Sequence, residues 1–239
     1  VAIVVGAGGG LGGALVEALL ARGAHRTVVA LSRRPVADPR PRPGLVRDVI
    51  DVTDEASVAG AVARARTLGT IRTVIVASGL LHDGTAVRPE KSIATVDPAA
   101  LARLFAVNAT GPALVAKHAL PAMPRTGRVV FAALSARVGS IGDNRLGGWY
   151  GYRASKAALN MLLRTLAIEW ARRAGESVCV GLHPGTVDTR LSRPFQGGVL
   201  PGRLFEPRLA ADQLLDVLGR LTPADSGGVF AWDGSPVPP

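Results

Sequence analysis

The sequence predicts an α/β protein built on one parallel, doubly wound sheet with helices on both faces. Three observations carry that expectation. Apolar, β-branched runs of strand length recur along the chain, segments of helical periodicity separate them, and 239 residues suit one such domain and are too few for two ordinary ones. Near-continuous apolar strands are what a sheet covered on both faces requires.

Taken in order, the strand-length runs fall at 1–5, 27–31, 45–50, 73–77, 129–134, 178–182 and 229–232, seven in all. Helical periodicity fills 11–21, 55–68, 101–120, 152–173 and 210–221 between them. Asp97-Pro98 marks a helix start, a capping side chain followed by proline at the first helical position. No internal repeat or linker divides the chain, so residues 1–239 are expected to form one domain. Segment 189–206 is the long stretch without periodicity, carrying Pro194, Gly197, Gly198, Pro201 and Gly202. It reads either as a lid over a substrate pocket or as a plain surface connection.

Composition narrows the function classes. Apolar residues make up 48% of the chain, with 29 Gly and 17 Pro, which is globular usage. No stretch approaches eighteen uncharged apolar residues, so no membrane-spanning helix is expected. The single cysteine, Cys179, has no internal partner and lies between Val178 and Val180, as a buried structural thiol does. With no secretory signal visible, the expected location is the cytoplasm. The net charge of +10 comes almost wholly from arginines scattered singly or in pairs. A nucleic-acid groove needs a basic stripe, so that class is set aside. His25, His82, His118 and His183 stand apart, without metal-ligand spacing.

The first strand runs directly into Gly6-Ala7-Gly8-Gly9-Gly10-Leu11-Gly12-Gly13, after which a helix begins. Glycines let a backbone turn tightly against a pyrophosphate, and a helix N-terminus offers it free N–H groups. Several dinucleotide spacings fit the run, so spacing alone selects no subfamily; the strand–turn–helix context carries the Rossmann-type reading. The second strand ends in Ser32-Arg33-Arg34, where an NAD site usually has Asp or Glu. Guanidinium groups suit a 2′-phosphate, which favours NADP(H) over NAD(H). The alternative is that both arginines point to solvent.

Tyr152 and Lys156 are four residues apart on a predicted helix and share one face. A cation near a phenol favours the phenolate, and moving its pKa from 10 to about 7 takes on the order of 4 kcal/mol. Such a tyrosine exchanges a proton with a carbonyl oxygen or an alcohol. The spacing alone arises often by chance.

In company it is specific. The Gly run, Asp51-Val52, Asn108, Ser135, Tyr152/Lys156 and Pro184-Gly185 occur in the order and at roughly the intervals of the short-chain dehydrogenase/reductase family. The resemblance covers essentially the whole chain. It is strongest to C-factor-like and carbonyl-reductase-like members, through Ser135–Ser140, Gly147–Tyr150 and His183–Thr189.

The resemblance implies an oxidoreductase acting on a small carbonyl or alcohol, with Tyr152 as general acid/base and Lys156 holding the nicotinamide ribose. It implies that Asn108 supports a water-linked proton relay, with Gly111-Pro112 disturbing its helix. It places Gly6, Gly10, Leu11, Gly12, Ser32, Arg33 and Arg34 along the cofactor, together with Gly79. Asp51 and Val52 would flank the adenine, and Pro184, Gly185 and Thr189 the nicotinamide. Pairing into a dimer or tetramer through the helices near 98–120 and 150–173 is the corresponding expectation for assembly.

Three departures from the family pattern stand out. Val5 replaces a hydroxyl residue before Gly6, and Val76-Ala77-Ser78-Gly79 replaces Asn-Asn-Ala-Gly after the fourth strand. The family's Ser-Ser pair falls on Ser135-Ala136, although its second serine is usually the active one. Ser135 with a small shift, Ser140 from the loop, or no serine at all remain open. The interval from Ser135 to Tyr152 is also long, and Trp149 in the extra loop either lines the pocket or anchors the loop. The departing serine gives a second reading some footing: a cofactor-binding regulatory or signalling protein with little turnover.

Overall fold

A computed structural model describes residues 1–34 and 42–239. Seven strands form one parallel sheet, in the spatial order β3-β2-β1-β4-β5-β6-β9. They are β1 (Ala2–Val5), β2 (Val28–Ser32), β3 (Leu45–Val49), β4 (Thr73–Val76), β5 (Val129–Leu134), β6 (Ser177–His183) and β9 (Val229–Ala231). Each matches an expected run to within a residue or two at its ends. A second pair, β7 (Thr186–Val187) with β8 (Leu204–Phe205), is too short to carry a pattern in the sequence.

Side chains of a strand alternate between its two faces, and here both faces are buried. Ile3 and Val5 of β1 join Phe131, Leu159 and Leu163 in one core, beneath α2 (Glu55–Thr67), α4 (Gly111–Ala119) and α5 (Tyr150–Ala171). Ala2 and Val4 join Leu15, Leu182 and Leu214 in the other, beneath α1 (Gly10–Arg22) and α6 (Pro207–Arg220). Cys179 is in the first core, and burial pushes its thiol up to about 12.

α3 (Pro98–Phe105) starts at Asp97, whose carboxylate accepts from the Ala100 N–H at 2.7 Å. It continues through a π turn at Ala106–Thr110 into α4. The Gly111 N–H reaches back to the Ala106 carbonyl, and Pro112 has no N–H to give the Asn108 carbonyl. The helical run Pro98–Ala122 is apolar and long enough to cross a membrane by composition. It nevertheless carries Arg103 and Lys117 and buries Ala100, Leu104, Val115 and Ala116 against the protein's own core.

Sheet order reverses between β1 and β4, and ligands of open α/β sheets bind beyond the strand ends at that switch point. Val5 pairs with both Leu31 and Val76, so the turns that follow β1 and β4 lie side by side.

Candidate active site

Gly6 takes φ +88°, and a Cβ there would lie 2.6 Å from the backbone nitrogen of Ser78. A Cβ on Gly12 would lie 2.1 Å from the Gly6 carbonyl oxygen, and one on Gly10 2.9 Å from the Thr189 methyl. These glycines therefore make a cradle that any side chain would fill. Above it, α1 begins at Gly9 with no side-chain cap and no acidic residue in its first turn. Its open N–H groups suit the pyrophosphate of a dinucleotide. Leu11 points instead into the core beneath α1. The Ser78 hydroxyl, buried beside Gly6, lacks a protein partner and is a polar atom for a ligand to satisfy.

At the adenosine end, the Ser32 hydroxyl donates to the Arg34 carbonyl at 2.6 Å, while Arg33 and Arg34 are exposed. Ser32 also lines a cleft of about 110 Å³ with Ala7, Gly13, Glu17 and Arg47. Arg47, on β3 beside Asp48 and opposite Ala30, is a residue that sequence reasoning missed. The Asp51 carboxylate accepts from the Thr53 N–H and hydroxyl at 2.9 and 2.7 Å, which together with the Arg33 charge holds its pKa low. Val52 is buried, packed where a Cβ on Gly111 would touch it.

The candidate chemical pair lies on the first turns of α5. Tyr152 and Lys156 are both buried, and the Lys156 Nζ donates to the Leu134 carbonyl at 2.7 Å, 5.8 Å from the centre of the Tyr152 ring. Spacing predicts a lowered phenol pKa. In the structure burial outweighs the ammonium, pushing Tyr152 up to about 12 and Lys156 down to about 8. Tyr152 is thus a phenol at neutral pH, fitted to give a proton.

Asn108 is fully buried and its side chain is saturated. Its Oδ1 accepts from the Leu80 N–H at 2.8 Å; its Nδ2 donates to the Leu80 carbonyl at 2.7 Å and to the Ser155 hydroxyl at 3.0 Å. Ser155 in turn donates to the Tyr152 carbonyl at 2.8 Å. Asn108 thereby ties the loop after β4 to α5, and Gly79 abuts its Oδ1.

The Ser135 hydroxyl donates to Asn160 Oδ1 at 2.6 Å, two helical turns beyond Tyr152. The Ser140 hydroxyl donates to the Pro239 carbonyl and accepts from the Asp143 N–H. Ala136 and Val138 are the residues of this stretch that pack against the cluster containing Tyr152, together with Leu80, Trp149, Leu191 and Phe195. Leu191 and Phe195 bring segment 189–206 into that cluster, and its two ends are joined through the β7–β8 pair. Gly185, at φ +71°, lies under Phe205 and Trp232, where a Cβ would come within 2.7 Å of the Phe205 ring. Pro184 and Gly185 thus turn the chain between β6 and β7.

A profile of short chain dehydrogenase sequences matches residues 1–197. The chain belongs to the short-chain dehydrogenase/reductase family. As a member it is an oxidoreductase. It is 30% identical to 1-hydroxy-2-glutathionyl-2-methyl-3-butene dehydrogenase of Rhodococcus sp. (strain AD45), over 98% of this chain and 96% of that one. It is 37% identical to C-signal of Myxococcus xanthus, over 62% of this chain and 83% of the other. The NADPH-bound carbonyl reductase from chicken fatty liver superposes with TM-score 0.84 at 27% identity, over 99% of this chain and 98% of that one.

Within this dehydrogenase/reductase framework, three further residues of the site carried no sequence signal. Glu90, Asn160 and Phe195 belong to no spaced motif, and they reach the site only through tertiary contact. A groove of about 480 Å³ between α4 and α5 lies away from Tyr152 and is lined by Ala113, Leu159, Leu162, Leu166 and Trp170.

Proposed function

We propose that this dehydrogenase/reductase is an NADPH-dependent reductase of small carbonyl compounds, reversible as an alcohol dehydrogenase. The observation that carries the reading is the buried Tyr152/Lys156 pair on one face of α5, beside a glycine cradle open to a dinucleotide. A bound nicotinamide supplies the hydride that the carbonyl carbon receives. Tyr152 donates its phenolic proton to the carbonyl oxygen, and Lys156, cationic below about pH 8, stabilises the phenolate left behind. Asn108 holds the Leu80 loop and Tyr152 in register and, through its helix carbonyl, supports proton return. Ser135 acts on the same helix through Asn160.

The cofactor would lie with its pyrophosphate over Gly6, Gly10, Leu11 and Gly12, and its adenine between Asp51 and Val52. Its 2′-phosphate would meet Ser32, Arg33 and Arg34, and its nicotinamide Pro184, Gly185 and Thr189. The NADPH in the chicken carbonyl reductase supports the choice of cofactor. Segment 189–206 serves as the lid, and the α4–α5 groove as the face for a second copy of the chain.

The deciding experiment follows NADPH consumption over a panel of small aldehydes, ketones, diketones and quinones, with Tyr152→Phe in parallel. Turnover that falls a hundred- to ten-thousand-fold in the variant is expected; activity that survives it overturns the assignment. A second reading, a cofactor-binding signalling protein with little turnover, is favoured by Ala136 at the serine position and by the likeness to C-signal. NADPH binding without turnover of any carbonyl on the panel would select it.

A further inference from the structure

Gly147, Gly148 and Trp149 follow one another through the left-handed region, with φ of 63°, 63° and 54°. Glycine adopts this conformation freely, whereas a residue with a Cβ loses about 1–2 kcal/mol there. Trp149 is the one non-glycine with positive φ among the described residues. A strained residue persists where its surroundings over-determine it, and strain of this kind clusters at ligand clamps.

Two straps hold the turn. On the inner side, the Glu90 carbonyl accepts from the Trp149 N–H, and its carboxylate accepts from the Gly151 N–H at 3.3 and 3.2 Å. Glu90 is 6% exposed, and α5 has no side-chain cap of its own, so this carboxylate from a distant loop takes that role. On the outer side, the Arg153 guanidinium donates to the carbonyls of Gly147, Gly148 and Val138. The result fixes the indole edge-on to Tyr152, with ring centres 6.2 Å apart, and against Phe195 at 5.0 Å.

We infer that Trp149, held by Glu90, is the specificity-determining residue of the substrate pocket, and that with Phe195 it selects flat, conjugated carbonyls over saturated ones of the same skeleton. The inference rests on the reading of Tyr152 as proton donor to a carbonyl. Ring edges and faces attract another π-system beyond what buried area gives. A puckered ring is thicker than an aromatic one and offers no such face. Leu80, Val138 and Leu191 add apolar surface to this cluster, and a polar atom beside it is the buried Nε2 of His82, whose ring meets Phe195 edge-on at 5.6 Å, so a polyol would leave most of its hydroxyls unpaired. Glu90 touches no substrate; it is a positioning residue acting through Trp149 and the start of α5.

The test compares acetophenone with cyclohexyl methyl ketone in the native protein, Trp149→Phe, Trp149→Gly and Glu90→Gln. The readout is the ratio of the two kcat/KM values, compared between variants so that intrinsic reactivity cancels. Trp149→Gly relieves about 1–2 kcal/mol of backbone strain but gives up the ring contacts with Tyr152 and Phe195, so thermal melting checks its folding, and its aryl preference should fall roughly three- to tenfold, through KM. Trp149→Phe should keep most of the preference, and Glu90→Gln should lose part of it. An unchanged ratio in Trp149→Gly overturns the inference. Calorimetric Kd values for both ketones, in the presence of NADP⁺, give a reading that needs no turnover. A native preference for acetophenone that disappears in Trp149→Gly supports the slot even if neither ketone is reduced, a result that counts against the proton-donor reading alone. Equal Kd values for the native protein sink the slot and leave that reading standing.

Discussion

The hydroxyl of Ser135 donates to Oδ1 of Asn160 at 2.6 Å, and this bond commits the serine to the middle of α5 rather than to its first turn. Eight residues separate Asn160 from Tyr152, about 12 Å along a helix axis. Ser135 is buried and Asn160 partly so, and a Cβ on Gly181 of β6 would touch Ser135. The bond therefore braces the end of β5 against α5.

Ser135→Ala should accordingly act on stability before chemistry. Losing the donor leaves the Asn160 oxygen without its partner, a cost of about 1–3 kcal/mol. Denaturant unfolding should show that loss, while kcat for a good carbonyl substrate changes less than about threefold. A collapse of kcat in a fully folded variant would return Ser135 to the substrate.

Gly12→Ala is expected to damage the cofactor site directly. Its new Cβ would lie 2.1 Å from the Gly6 carbonyl oxygen, a backbone atom that moves only if the turn opens. NADPH affinity, followed by fluorescence titration, should fall at least tenfold. Unchanged binding would place the dinucleotide elsewhere.

Replacing Arg33 and Arg34 together by Ser should separate the two cofactors. Guanidinium contacts to a phosphate are charge-assisted, so NADPH binding should weaken by roughly tenfold or more, with NADH binding little altered. Equal losses for both would mean that the arginines serve the fold or the solvent face.

Histidine 183 gives a pH dependence with a definite sign. Burial pushes His183 down to about 4 from an ordinary value of 6.5. Between those values the unfolded chain holds the extra proton, so stability is full above about pH 6.5 and declines as pH falls toward 4. The loss amounts to about 3 kcal/mol at most. Denaturant midpoints between pH 7 and 4 should drop more steeply for the native protein than for His183→Asn; parallel curves would remove His183 as the cause.

Much of the fold was legible because the strands of a parallel sheet are buried on both faces, which leaves runs such as Val28–Ser32 and Val129–Leu134 apolar throughout. The disturbance at Gly111-Pro112 was legible too, since a missing N–H is a property of one residue. By contrast, β7 and β8 hold two residues each, fewer than a period-2 pattern needs. Within the site, Tyr152 and Lys156 announce themselves through helical spacing. The partners of Asn108 do not, because one is the backbone of Leu80, and any residue supplies a backbone. Glu90 and Trp149 meet across a long stretch of chain, and nothing local marks either residue as strapped or strained. Proximity of Lys156 to the phenol can be read from spacing, whereas the depth of burial that pushes Tyr152 up cannot.

The β7–β8 pairing has a consequence for how this protein diversifies. Thr186 and Val187 lie against Leu204 and Phe205, so the entry and exit of the intervening segment stay within a strand spacing of each other. Extra residues inserted near Gly197 and Gly198 enlarge a loop whose ends are already joined, and doubling such a loop costs only about 0.6 kcal/mol. The glycine cradle and α5 lie outside that stitch. The segment can therefore change length by insertion at one surface position, while the glycine cradle and the buried Tyr152/Lys156 pair keep their geometry.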